Sequence, residues 1–245
     1  MCTVSWIRDD DGYQLLCNRD EKRTRMSAAA PTLLQQQGVR LIAPIDRPHG
    51  GSWISVNQFG VTLCLLNGAN LSGLRESSNR RDYRSRGLFL LELASSEAAR
   101  EACVRAWRMD LSDYAPFTLA ALEPGLPTML FEWTGAEKAV LLDGERYMPL
   151  VSSSYDAAGV QSRRRAQFAR QTSASPRLSP AQLFAFHSSH GACADAYSPC
   201  MHRNDAETVS FSWVKVAGRH AEFFYAPGAP CQWSPGETHA LALAQ

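Results

Sequence analysis

Two apolar runs separated by a turn open the chain and commit it to an antiparallel sheet. Residues 2–8 and 13–18 are apolar, β-branched or aromatic, and Asp9-Asp10-Asp11-Gly12 stands between them. That pattern predicts a β-hairpin. Pairing Asp9 with Gly12 and counting back sets Cys2 opposite Arg19, and a bulge would slip this by one residue. Either way the second amino acid faces Asn18-Arg19-Asp20-Glu21. A second strand pair, 52–57 and 61–67, flanks Gln58-Phe59-Gly60 in the same manner.

The remaining periodicity is clustered. A helical zone follows Ser95 or Ser96 as its cap, with Ala99, Ala102, Cys103, Ala106 and Trp107 recurring on one helical face. Strand-like runs then occupy 117–122, 128–133, 139–142 and 147–152. Residues 160–171 and 180–190 read as helices, the second with Ser179 as cap and Pro180 at its first position. Strands at 207–216 and 222–225 close the pattern. Grouped strands and grouped helices predict an α+β fold, antiparallel sheets carrying helices on their outer faces. No repeat and no low-complexity linker divides the chain, so 1–245 is read as a single domain.

Charge narrows the partners. With 25 Lys+Arg against 24 Asp+Glu, the net charge of +1 removes the field expected of a general nucleic-acid binder. No apolar run reaches the ~18–20 residues needed to cross a bilayer. The first residues, Met1-Cys2-Thr3-Val4, lack the apolar stretch of a secretory signal, and a cytoplasmic location is expected. The 7 cysteines are odd in number and widely spread, which suits buried thiols in a reducing compartment.

Cys2 is the first candidate for chemistry. Methionine before a small residue is normally trimmed, and Cys2 would then carry a thiol and a free α-amine together. An α-amine has a reference pKa of about 7.7–8.0, so it can take a proton near neutrality. A thiol is the best protein nucleophile, and a neighbouring Arg favours its thiolate. Asp20 at hydrogen-bond distance would hold the ammonium.

Met1-Cys2-Thr3-Val4 followed by Asn18-Arg19-Asp20-Glu21 resembles the start of the NRDE family, whose eukaryotic members are called transport and Golgi organisation proteins. The resemblance continues through Gly50-Gly51-Ser52-Trp53-Ile54-Ser55-Val56-Asn57-Gln58-Phe59-Gly60, Leu65-Leu66-Asn67 and Ser85-Arg86-Gly87. It reaches Pro149-Leu150-Val151-Ser152-Ser153-Ser154 and Cys200-Met201-His202-Arg203. That family is in turn similar to N-terminal-nucleophile cysteine amidases of the choloylglycine hydrolase and penicillin V acylase type. The resemblance implies a four-layer αββα sandwich and hydrolysis of a non-peptide amide in an acylated small molecule, with Cys2 as nucleophile. It implies Arg19 and Asp20 beside the nucleophile and Asn67 in the oxyanion hole. The relatives' motif runs Arg-Asn-x-Asp, so Asn18 and Asp20 align with it best. Ser152-Ser153-Ser154 stands where they carry an Asn, and Ser153 is taken as a supporting residue. Arg163-Arg164-Arg165 stands where they carry a further active-site Arg. The sequence does not separate these three, and Arg165 is taken as their substrate-binding representative.

Other motifs carry less. His187-x2-His190-x2-Cys193-x6-Cys200-x-His202 has the residue types of a zinc site but no tight Cys-x2-Cys pair. Packing and capping roles are expected for it, with no metal and no cofactor. Under an alternative of another class, the fold binds or carries haem or a lipid without chemistry. Soft Cys/His ligands suit haem iron, and eukaryotic members of the family are linked to haem trafficking. The charged stretch Asn79-Arg80-Arg81-Asp82-Tyr83-Arg84 can steer an anionic ligand, and Trp53 is a pocket-lining candidate. Homo-oligomerisation is left open. There is no Gly-rich phosphate loop, no Gly-x-Ser-x-Gly elbow and no His-Glu-x-x-His.

Overall fold

The computed structural model describes residues 2–9, 11–68, 83–173, 177–190, 194–232 and 237–244. In chain order, β1 (Cys2–Asp9), β2 (Gly12–Lys22), β3 (Ala29–Gln36), β4 (Val39–Ile45), β5 (Ile54–Asn57) and β6 (Thr62–Asn67) lead into α1 (Arg86–Leu93) and α2 (Ala99–Arg108). Next come β7 (Phe117–Leu122), β8 (Met129–Trp133), β9 (Lys138–Leu141), β10 (Leu150–Ser152), α3 (Ala157–Thr172) and α4 (Pro180–His187). The chain closes with β11 (Ala206–Ala217), β12 (His220–Ala226) and β13 (Glu237–Ala242).

One sheet has the order β10-β1-β2-β11-β12-β13 and the other β3-β4-β5-β6-β7-β8-β9. Every pairing is antiparallel. The sheets pack face to face over Val4, Trp6, Tyr13, Leu15 and Cys17 from one side and Ile54, Val56, Cys64, Leu66 and Ala120 from the other. Helices α1 and α2 cover the outer face of the longer sheet through Phe89, Leu93, Ala102 and Ala106. Helices α3 and α4 cover the shorter sheet through Phe168, Leu183 and Phe186. The fold is therefore an α+β sandwich of four layers.

Strand β1 shows how the sequence dictates this. Successive side chains alternate between faces, so Cys2, Val4 and Trp6 enter the apolar space between the sheets. Thr3 and Ser5 point under α3 and α4, and both are fully buried. Buried hydroxyls need partners, and the helices supply them from Arg164 and His187. The first helical zone departs from expectation at its start. The N-cap is Ala98, with no side-chain cap, while the Ser95 and Ser96 hydroxyls accept from Arg105. Ser179 does cap α4, in a reciprocal capping box with Gln182.

Candidate active site

Cys2 pairs with Arg19 across the first hairpin and with Ser152 of β10 on its other side. Its backbone N–H donates to Ser152 Oγ at 3.0 Å. Residues opposed on an antiparallel pair share a face, so the Cys2 and Arg19 side chains both enter the space between the sheets. There they border a cavity of about 460 Å³ whose walls include Trp53, Asn67 and Arg86. Asn67, the last residue of β6, stands exposed at its mouth.

A charged frame fixes Arg19. Its guanidinium lies over the Trp53 ring, 4.2 Å from the centroid, and its Nη2 is 2.9 Å from Asp46 Oδ1. Asp46 also accepts from Arg25 at 2.8 Å and contacts His49 at 3.0 Å. Burial alone would raise the Asp46 carboxyl. The hydrogen bonds from Arg25 and His49, with the charges of Arg25 and Arg19, hold it below its ordinary value instead. The pair is shielded, and Arg19 is anchored rather than free. Arg86, at the first turn of α1, donates to Pro116 O at 2.8 Å. Burial pulls its pKa down while the charges of Cys2 and Glu21 act in the opposite sense.

The Cys2 thiol is pushed well above its ordinary pKa, first by its contact with the Cys17 thiol and then by burial. The positive charge of the chain's N-terminus opposes both. Cys17 in turn lies 3.9 Å from Cys64, sulfur to sulfur.

Asp20 and Asn18 belong to the other face of β2. Asp20 accepts from Arg164 at 3.1 Å and from Thr208 at 2.7 Å. Asn18 donates to His187 O and Pro199 O, each at 2.8 Å. Both therefore build the layer beneath α3 and α4, with the sheet between them and the cavity. Two further expectations are corrected. Arg165 donates to Tyr147 O at 3.3 Å and does not line the cavity. Its neighbour Arg164 is the buried one, held by Asp20, Thr3 and Ala196 O. Ser153 is half-buried and donates to Tyr155 O, whereas Ser152 reaches Cys2. On helix α3 and on the strand end, one residue of offset reverses what a side chain meets.

Sequence reasoning missed Asp46, which carries no motif around it, and Arg86, which was read only as part of Ser85-Arg86-Gly87. Of the charged stretch, 79–82 lie outside the described residues, while Tyr83 and Arg84 border the cavity. The Cys/His set also departs from a uniform packing and capping role. His187 is buried against Ser5 and Asn18 and Cys193 lies outside the described residues. His190 and His202, however, meet Cys231 at the surface.

The model of the Transport and Golgi organisation 2 family matches residues 1–156. No curated protein matches the chain by sequence. Among solved structures, penicillin V acylase from Agrobacterium tumefaciens aligns at a TM-score of 0.57 and 11% identity, over 99% of this chain and 86% of that one. A mutant of conjugated bile acid hydrolase from Clostridium perfringens aligns at 0.55 and 11%, over 99% and 92%. The Caenorhabditis elegans ortholog of N-acylethanolamine-hydrolyzing acid amidase aligns at 0.57 and 13%, over 87% and 92%. This chain thus shares the N-terminal-nucleophile hydrolase fold of these acylases and amidases.

Proposed function

The chain belongs to the Transport and Golgi organisation 2 family, and from that premise we propose that it hydrolyses a non-peptide amide bond of an acylated small molecule, with Cys2 as its N-terminal nucleophile. The observation that carries the reading is the meeting of Cys2, Arg19 and Asn67 at one cavity, with the Cys2 nitrogen on Ser152 Oγ. Removal of Met1 turns that nitrogen into an α-amine beside the thiol.

The chemistry then runs as follows. The thiol proton passes to the α-amine as sulfur attacks the acyl carbonyl. Negative charge grows on the carbonyl oxygen, where the Asn67 amide and a backbone N–H stabilise it; losing one such donor costs ~100–1,000-fold in rate. The ammonium returns its proton to the departing nitrogen as the C–N bond breaks. Water, deprotonated by the same amine, releases the acid from the thioester. Arg19, clamped by Asp46 and Trp53, and Arg86 hold cationic walls around the substrate. Asp20 acts from behind as a positioning residue, through Arg164 and Thr208.

The experiment is hydrolysis of a panel of N-acyl amides by protein whose Met1 removal has been verified by mass. Turnover lost in Cys2→Ala supports the proposal, and turnover retained in that variant removes Cys2 from the mechanism. The contact of the Cys2 thiol with the Cys17 thiol, which with burial raises its pKa, favours a second reading, in which the cavity binds haem or an acylated lipid without chemistry. Retained Met1 together with tight ligand binding would select it.

A further inference from the structure

We propose that His190, Cys200, His202 and Cys231 form a structural binding site for one borderline-soft divalent cation of the zinc class. The site is independent of the Cys2 cavity and of the activity proposed for it. Its residues come from three segments: His190 just beyond α4, Cys200 and His202 before β11, and Cys231 in the short helix between β12 and β13. Donor atoms of His190, His202 and Cys231 all lie within 4.8 Å of one another; Cys200 is outside that set and joins it through His202 and Cys231.

Distances around His202 are those of a metal's ligand shell. Its Nε2 is 3.4 Å from Cys200 Sγ and 3.2 Å from Cys231 Sγ. A tetrahedral ion with a nitrogen at ~2.0 Å and a sulfur at ~2.3 Å sets those two donors about 3.5 Å apart. One imidazole nitrogen offers either one lone pair or one proton, yet two sulfurs converge on it, and those two sulfurs also meet each other. The rings of His190 and His202 stand at 89°, with centroids 5.6 Å apart, so neither ring blocks the other's approach.

The backbone is already organised to present these donors. Cys200 N–H donates to Ser189 O at 3.0 Å, and His202 N–H to Ala194 O at 2.8 Å. Those bonds tie the Cys200–His202 turn to the segment carrying His190. Gln167 of α3 donates to Ser189 Oγ at 2.6 Å and steadies the same segment. Cys231 brings in the β12–β13 connection, whose backbone and thiol already meet Cys200. The set mixes two imidazoles and two thiols, a Cys2His2-type combination that favours zinc over hard cations. Linear spacing concealed it because the last ligand lies on a connection far along the chain from the His190–His202 cluster.

The test uses the full chain, reduced, stripped with chelator and titrated with zinc and with cobalt. The wild type should bind one zinc per chain, gain thermal stability on doing so, and show thiolate-to-cobalt charge-transfer absorption with a tetrahedral cobalt spectrum. Cys231 is exposed, so Cys231→Ser should keep the apo fold while losing affinity on the order of a hundredfold. His202→Gln should behave likewise. Zinc bound equally well by Cys231→Ser, or cobalt bound without sulfur charge transfer, would overturn the proposal. So would a Cys200–Cys231 disulfide whose reduction yields no metal uptake.

Discussion

Two hydrogen bonds fix the proton on His187. Asn18 spends both amide protons on His187 O and Pro199 O, so its Oδ1 must accept from His187 Nδ1, 3.0 Å away. Nε2 is then bare and accepts from the Ser5 hydroxyl at 2.8 Å. Burial, reinforced by the charge of Arg164, pushes the imidazole down to about 3. The unfolded ring titrates near 6.5. Above that pH neither state holds the extra proton, and the group's full contribution is present. Below it the unfolded chain takes up a proton that the folded chain refuses. Stability then falls by about 1.4 kcal/mol per pH unit until about pH 3. Urea unfolding at pH 7 and pH 5 should show that loss in the wild type and a smaller one in His187→Gln. An unchanged slope in the variant would assign the acid sensitivity elsewhere.

Arg164 and Asp20 set a second expectation at this scale. Both side chains are sealed from solvent and 3.1 Å apart. Removing one partner strands the other's charge, so Arg164→Met should cost ~3–5 kcal/mol. Adding Asp20→Asn to that variant should recover part of the loss, measured as a coupling in a double-mutant cycle. Ser152→Ala belongs here too. Its hydroxyl is the acceptor for the Cys2 nitrogen, and one such bond is worth ~0.5–1.5 kcal/mol. A rate loss of about 3–10-fold with an unchanged fold is expected once an amide substrate is in hand.

At the scale of elements, the cavity depends on a glycine contact. A Cβ on Gly51 would sit 2.4 Å from the Gly87 carbonyl carbon, and one on Gly87 would sit 2.9 Å from Ser52 N. The two backbones touch, and Ser52 N–H donates to Gly87 O at 3.1 Å. This contact seats the first turn of α1, and with it Arg86, beside Trp53. Gly51→Ala should therefore destabilise by about 1–3 kcal/mol through overpacking and push Arg86 off the cavity wall, seen as altered Trp fluorescence and weaker ligand retention. A Gly51→Ala protein with wild-type stability would contradict the contact.

The same contact explains why Gly50-Gly51-Ser52-Trp53 and Ser85-Arg86-Gly87 both stood out in the sequence although they lie far apart in it. The first hairpin was equally legible, since residue alternation and one turn determine the Cys2–Arg19 pairing, which the structure contains. Strands β3 and β4 were not. Pro31 lies where the β3–β4 register shifts, β3 is the edge of its sheet, and Pro44 interrupts β4, so neither shows clean alternation. Helix α1 was lost because its apolar run is short: Ser85 stands at the N-cap position, but its side chain makes no capping bond. The facing of Asp20 escaped for another reason. Alternation gives it the side opposite Cys2, but only the buried Arg164 reveals what lies there.

For the whole molecule, the two sheets act as a clamp whose open edge holds the cavity. Tyr13 crosses between them, its hydroxyl 2.7 Å from both Gly60 O and Thr62 Oγ1. No helix among the described residues is long and apolar enough to cross a membrane. The apolar cluster between the sheets includes both Trp6 and Cys2, so the strand that carries Cys2 also carries the largest fully buried side chain among the described residues. Trp6→Ala should cost about 3–5 kcal/mol, and denaturant melts should show it.

The central claim is that Cys2 is an N-terminal nucleophile, and one mass measurement addresses it directly. Purified protein is treated briefly with an activated acyl donor and then read as intact mass and as mapped peptides. Cys17, Cys64, Cys103 and Cys200 are buried and stand outside the cavity lining, which limits their access to the donor. Among the described cysteines, Cys2 joins that cavity to the amine that Met1 removal would free. The account predicts the loss of one methionine residue and acylation chiefly on Cys2, lost in Cys2→Ala, with the exposed Cys231 as the accessible thiol to compare. A protein that keeps Met1, or whose acyl group falls on other cysteines while Cys2 stays unlabelled, would contradict it.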